Sequence, residues 1–258
     1  MAQPSNPYAA PSSQVADVSQ ADGDFVPGGH SVPSGNAWQW IVDGFGLFKR
    51  SPGIWILNLF ILFILMVVLA VIPIVGGVAL LLLLPVFGGG LMLGCDAVMR
   101  DEPLEVGHLF AGFRDKVGQL ILVGVLYLVG SIVIGLIAGV LIGASVFGAV
   151  FSGGNVGASA ATLMLGLLVA LGLSVPLVMA MWFAPALIVF HDLKPMDALT
   201  QSFQGCLKNI VPFLVYGIIT FVIGMLASIP AGLGWLIWGP TLIGSIYAGY
   251  RDIFLQSN

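Results

Sequence analysis

Six long apolar stretches separated by short polar segments set the pattern of this chain. They run about Ile54–Ile72, Val78–Cys95, Val117–Ala144, Ser159–Phe190, Ile210–Ala227 and Trp235–Tyr250. A helix needs about 20 apolar residues to cross the hydrocarbon of a bilayer, so each stretch predicts one membrane-spanning helix. The run from Ser159 to Phe190 falls short of the roughly 40 residues that two spans would take. It predicts one long helix kinked at Pro176 and Pro185, which a membrane helix tolerates when its neighbours satisfy the freed backbone groups. Short turns at 73–77 and 230–234 and a longer uncharged loop at 145–158 join the spans on one side. The fold expected is all-α, a polytopic bundle of six transmembrane helices.

The polar segments fix its orientation. The basic residues are Lys49, Arg50, Arg100, Arg114, Lys116, Lys194, Lys208 and Arg251. With six crossings, all eight fall on one face. Lys and Arg near helix ends are retained on the cytoplasmic side, so both termini are expected in the cytoplasm. The N-terminus has no apolar core before Trp38 and no cation before Lys49, so the first span is expected to direct insertion without a cleaved signal.

Residues 1–37, rich in Pro, Ser, Ala, Gln, Asp and Gly, bury too little apolar surface to offset their ordering entropy. They predict a disordered cytoplasmic tail, on which a protein partner could dock. Residues 38–258 form the transmembrane domain. Trp38, Ile41, Phe45 and Phe48 recur at helical spacing before Lys49 and Arg50, which predicts a short helix lying in the interface. Leu104, His108, Phe110 and Phe113 predict a second surface helix in the loop 96–116.

A threefold rhythm runs through these segments. A charged segment with a phenylalanine leads into each helical hairpin: Gly44-Phe45 before Lys49, Gly112-Phe113 before Lys116 and Ser202-Phe203 before Lys208. Such units, sharing one orientation, would be related by an axis along the membrane normal. The Pro-x-Asp/Glu-x-x-Lys/Arg signature of the three-hairpin mitochondrial carriers is absent after every odd-numbered span, which excludes that family.

Composition sharpens the class. The chain of 258 residues is 59% hydrophobic and 8% charged, with a mean hydropathy of +1.07. A soluble domain is about a quarter charged. Eight scattered cations make no basic stripe for nucleic acid. Cys95 and Cys206 match no zinc or redox spacing and fall where a reducing compartment keeps thiols free.

No Asp, Glu, Lys, Arg or His lies in the middle of a span, which argues against a proton-coupled pump or a charged filter. Candidate chemistry gathers instead at the expected inner rim, in His108, His191, Asp96, Asp192 and Asp252, while His30 sits in the tail. Two His and a carboxylate could bind a metal, but no helix-spaced His pair supports such a site. No Gly-x-Ser-x-Gly, Walker loop or dinucleotide fingerprint occurs. The sequence therefore assigns no catalytic, cofactor-binding or metal residue. Gly90 and Gly94, and Gly135, Gly139 and Gly143, recur every four residues, a spacing that lets helix backbones approach closely. Gly139→Leu is accordingly expected to destabilise the bundle.

Trp38, Trp40, Gly44, Phe45, Leu47 and Phe48, the run Trp182–Phe190, and the closing Tyr250–Phe254 together resemble a family of uncharacterised proteobacterial inner-membrane proteins. The likeness covers about residues 38–254. It implies a six-helix bacterial membrane protein and lends no catalytic residues. A more distant similarity is to the membrane region accompanying some bacterial glycerophosphodiester phosphodiesterases, whose catalytic barrel needs about 250 residues of its own.

The function expected is that of a non-enzymatic scaffold or accessory protein of the cytoplasmic membrane, with membrane lipids and a tail-bound protein as partners. The alternative is a permease or lipid-handling transporter, since the Pro- and Gly-interrupted second, fourth and sixth spans resemble broken helices that line binding sites. An enzyme would need His108, His191, Asp96 and Asp192 to cluster.

Overall fold

The structure is a computed structural model and describes residues 23–114, 116–151 and 156–256. In chain order it contains β1 (Asp24–Phe25), α1 (Asn36–Arg50), α2 (Pro52–Ala70), α3 (Val75–Met99), α4 (Val106–Leu109), a 3-10 turn (Ala111–Phe113), α5 (Val117–Phe151), α6 (Val156–Trp182), α7 (Ala184–His191), α8 (Pro195–Lys208), α9 (Ile210–Ser228), α10 (Trp235–Phe254) and β2 (Leu255–Gln256). The architecture is all-α apart from the two-residue strands, which pair antiparallel, Asp24 with Gln256 and Phe25 with Leu255.

Five helical stretches among the described residues are long and apolar enough to cross a membrane: Pro52–Ala70, Val75–Met99, Val117–Ala144, Ala160–His191 and Ile210–Ser228. The sixth expected span, α10, is not among them. Its C-terminal half carries Thr241, Ser245, Tyr247, Tyr250, Arg251 and Asp252, which dilute its hydropathy. The outer loop expected at 145–158 is largely helix, because α5 continues to Phe151 and α6 begins at Val156.

The long fourth stretch breaks at Phe183, between α6 and α7. Pro185 sits in the first turn of α7, where its missing N–H costs no helical bond. The break separates Met179 O from Phe183 N. The Ser202 hydroxyl on α8 takes both, accepting from Phe183 N at 2.9 Å and donating to Met179 O at 2.7 Å. Pro176 lies inside α6.

That arrangement recurs twice. A Cβ built on Gly44 of α1 would collide with Thr241 O and Ser245 N of α10. One built on Gly112 would collide with Val86 O and lie 3.3 Å from Gly90 N of α3. In each case a small residue ahead of a hairpin meets the carbonyl of one residue and the amide four positions on. The helix met always closes another hairpin, in cyclic order: α1 meets α10, the 104–113 segment meets α3, and α8 meets α6. Pro240, Pro85 and Pro176 precede the three contact points. The three leads singled out by the sequence rhythm are thus three equivalent docking points.

The packed core lies at the charged end. Trp55, Val86, Leu109, Leu120, Phe183, Phe190, Tyr247, Tyr250 and Phe254 are buried there. Toward the far ends, Phe63, Val71, Ile74, Leu136, Val140, Leu168, Phe221 and Ile229 are exposed. Lipid tails are as apolar as these side chains, so nothing drives the far halves together.

Two expectations are corrected here. Gly135, Gly139 and Gly143 face open space among the described residues, so they mark no helix contact. Gly90 and Gly94 do mark one, but with the 104–113 segment rather than a spanning helix: a Cβ on Gly90 would lie 2.5 Å from His108 O and one on Gly94 2.9 Å from Leu104 Cδ1. The interface helix is also not free. Ile41 and Phe48 are buried against the bundle while Trp38 and Phe45 are exposed. The aromatic stripe straddles an edge because the small residues Ala37 and Gly44 centre the buried face.

The expected tail divides. Residues 1–22 lie outside the described residues. Residues 24–35 form a strap across the ends of α8 and α10, held by Lys208 Nζ donating to Gly29 O (2.7 Å), Asn209 Nδ2 donating to His30 O (2.8 Å) and Val32 N donating to Asn209 Oδ1 (2.8 Å).

Candidate functional site at the charged rim

The site is built where α1 crosses α10. Gly44 and Gly244 let the two helices touch. Below the crossing, Trp40 packs on Gly249, and its indole N–H donates to Asp252 Oδ2 at 2.7 Å. Asn36 Nδ2 donates to the same oxygen at 2.9 Å. Asp252 Oδ1 has no hydrogen-bond partner among the described residues. The strap brings His30 alongside, its backbone N–H donating to Ile253 O at 2.9 Å. The His30 Nδ1 is buried without a partner among the described residues.

Between these parts opens a cavity of about 800 Å³. Lys49, Arg50 and Arg251 supply positive charge to its lining, and Asp43 and Asp252 negative charge. Trp40, Leu47 and Met99 form apolar wall. Arg50 is already committed, donating to Val98 O at 2.8 Å and to Asp101 at 2.9 Å. Lys49 lies over the Phe45 ring at 5.0 Å and Arg251 over the Tyr247 ring at 6.0 Å. Neither pairs with a carboxylate among the described residues. Asp43 accepts from Gln39 Nε2 at 2.7 Å.

A second cavity, of about 570 Å³, opens between α5, α6 and α8. Gly130, Ile134, Pro176, Leu177, Leu199 and Phe203 contribute to its lining, which carries no charged side chain.

Asp252 apart, which lines the cavity, the rim residues weighed from sequence have other work. Asp96, almost fully buried, accepts from the Tyr247 hydroxyl at 2.7 Å and pairs with Arg100. His191 Nε2 shares a hydrogen bond of 2.6 Å with the Tyr250 hydroxyl, and Phe25 stacks on its ring at 3.9 Å. His108 Nδ1 accepts from Glu105 N at 3.0 Å, capping α4. Asp192 takes hydrogen bonds from Lys116 and Gln119, and these hold its carboxyl below the usual range. No group of three or more His, Cys, Asp or Glu among the described residues is placed to hold a metal ion. His30 is the site residue sequence reasoning missed. Its signal was Gly28-Gly29, a turn pair with φ of 71° and 64° in a stretch read as tail.

Apolar spanning helices joined at a charged, well-packed end define a multi-pass integral membrane protein. The chain is similar to a probable inner membrane protein of Burkholderia thailandensis, with 27% identity over 249 residues, 86% of this chain and 92% of the relative. The chain is a multi-pass protein of the bacterial inner membrane. No family model matches the chain, and no solved structure matches it. Neither the relative nor the family models support the more distant likeness to glycerophosphodiester phosphodiesterases.

Proposed function

We propose that the protein is a six-pass, N-in/C-in scaffold or accessory protein of the inner membrane, acting through its charged cytoplasmic end and carrying out no catalysis. The carrying observation is how the rim residues are used. Asp96, Asp192, His108 and His191 each hold one element to another or cap a turn, which leaves the packed end rigid. Rigid, satisfied polar groups suit a surface that presents itself to a partner. The cyclic docking of α1, the 104–113 segment and α8 supports six spans, because α10 takes the place that α3 and α6 take in their hairpins. The pairing of Lys116 with Asp192 and of Arg50 with Asp101 supports a common side for their chain segments, and retention of cations at the cytoplasmic side supports its orientation.

Co-purification tests the role. Full-length protein, crosslinked in cells, should retain a reproducible partner that a form lacking residues 1–22 loses. Absence of any reproducible partner for either form overturns the scaffold reading. Single-cysteine labelling tests the topology: Lys116→Cys and Lys208→Cys should react from the cytoplasm, and Ala231→Cys from the outside.

The apolar cavity favours a second reading, a lipid-handling protein. It sits where α6 carries Pro176, and interrupted helices often line binding sites. Movement of labelled lipid between leaflets of proteoliposomes would carry this reading, and its absence would remove it.

A further inference from the structure

We infer that the rim cavity between α1 and α10 is a binding site for a zwitterionic phosphoethanolamine head group. The docking geometry alone does not call for charge here. At the equivalent seam between α8 and α6, the cavity is lined without any charged side chain. At the α1–α10 seam the cavity collects cations and carboxylates together. Two of the cations, Lys49 and Arg251, have no carboxylate partner among the described residues, and their contacts are ring faces. Two carboxylates, Asp43 and Asp252, face them with neutral donors as partners, and Asp252 keeps one oxygen free.

A cavity with two cations and two carboxylates that lack ionic partners among the described residues is matched by a ligand bearing one charge of each sign. An anion alone would leave the carboxylates opposed, and a cation alone would leave Lys49 and Arg251 opposed. A phosphodiester set toward Lys49 and Arg251, with its ammonium toward Asp43 and Asp252, answers both through charge-assisted hydrogen bonds. The buried His30 Nδ1 completes the set, since an imidazole nitrogen donates or accepts according to tautomer.

The surroundings point to a lipid as the source. Val42 contributes to the cavity lining and is itself exposed. It belongs to the exposed apolar edge Trp38–Val42–Phe45 of α1, which places the cavity mouth where head group meets acyl chain.

This proposal does not rest on orientation or on a scaffold role, so its test runs on purified full-length protein in detergent. Thermal unfolding is followed with added phosphatidylethanolamine, phosphatidylglycerol, which has the phosphate without the ammonium, phosphatidylcholine, whose quaternary nitrogen has no N–H, and soluble glycerophosphoethanolamine. Phosphatidylethanolamine should raise the unfolding temperature more than the other two lipids. Lys49→Gln and Asp43→Asn, both at exposed side chains, should remove most of that extra shift while leaving the lipid-free unfolding temperature unchanged. An equal response to glycerophosphoethanolamine would keep the site and make its source a soluble head group. Equal shifts from all three lipids, or an ethanolamine preference that survives both substitutions, would overturn the proposal.

Discussion

Gly44 of α1 and Gly244 of α10 meet backbone to backbone: a Cβ on Gly244 would lie 2.9 Å from both Gly44 Cα and Gly44 O. A side chain on either would push the helices apart, and with them the cavity between Trp40 and Asp252. The same crossing puts Gly44 against the Thr241 carbonyl and the Ser245 amide, the pattern that Gly112 and Ser202 repeat on α3 and α6. Three seams therefore depend on three small residues.

Gly44→Ala and Gly112→Ala should each destabilise the protein by about 1–3 kcal/mol, the usual cost of overpacking. Ser202→Ala should cost a similar amount for a different reason, since it strands Phe183 N and leaves Met179 O only the weak bond from the Cys206 thiol. Gly46→Ala and Gly139→Leu, which meet open space, should be neutral or slightly stabilising, as a helical glycine is about 1 kcal/mol worse than alanine. Reversible unfolding in mixed micelles checks the contrast.

Tyr247 holds α10 to α3 through Asp96, buried at 2% exposure. Tyr247→Phe keeps the ring and removes a donor from a carboxylate that water cannot reach. The expected loss is about 1–3 kcal/mol, read from the same micelle unfolding. Because Arg100 still pairs with Asp96, the variant should fold.

Much of this architecture was legible in the sequence because lipid imposes a simple code: apolar length gives the spans, and the run of cations gives the polar end. Five spans and the α6–α7 break near Pro185 trace to residues visible beforehand, whereas the rhythm marked the three leads without telling that they dock. What failed did so for identifiable reasons. Periodic glycine marks where a backbone could be approached, and only the presence of a neighbour decides whether it is, so Gly135–Gly143 looked like an interface and Gly90–Gly94 hid the folding-back of the 104–113 segment. The strap was read as tail because its bonds join its own backbone to distant partners, the Lys208 and Asn209 side chains and the Ile253 and Phe254 carbonyls. Composition cannot report such bonds. The rim cavity was invisible for the same cause, since its two charged halves, Asp43 with Lys49 and Arg251 with Asp252, come from opposite ends of the chain.

The Lys116–Asp192 pair joins the start of α5 to the end of α7 and is largely exposed at Asp192. Hydrogen bonds from Lys116, then Gln119, hold the Asp192 carboxyl below its ordinary value of 3.8. A depressed folded value means the contribution is present in full above about pH 4 and fades as pH falls through the folded value. Lys116→Met should therefore differ slightly from wild type at pH 7, and the difference should shrink as pH falls below 3.8 and through the folded value. The difference should be small, as for exposed pairs generally, and should shrink with salt. Paired unfolding curves across that range measure it.

Cys206 lies against α6, where burial pushes its thiol up to about 12. The thiolate is the reactive species, so Cys206 should resist maleimide at pH 7 in the folded protein, as should the fully buried Cys95. Both should label once the chain is unfolded in detergent. A raised thiol value favours the folded state below the unfolded value near pH 9, so alkaline conditions above that point should weaken this end of the bundle. Labelling stoichiometry by mass, before and after denaturation, reports both.

The strap over α8 and α10 turns at Gly28 and Gly29, both with positive φ. A side chain at Gly29 would be strained there and would also lie 2.7 Å from Ile253 Cγ2 and 3.2 Å from Ile253 O. Lys208 grips the turn from the other side through the Gly29 carbonyl. Gly29→Ala should release the strap by two independent penalties, conformational and steric, each of order 1 kcal/mol or more. Lys208→Met should loosen it by one lost charge-assisted bond, about 1.5–3 kcal/mol at most. Hydrogen exchange of residues 24–34 should rise in both variants and most in Gly29→Ala, while the amides of α3 and α7 stay protected. If the strap is released, His30 leaves the rim cavity with it, and any ligand contact made through its imidazole is lost in the same step.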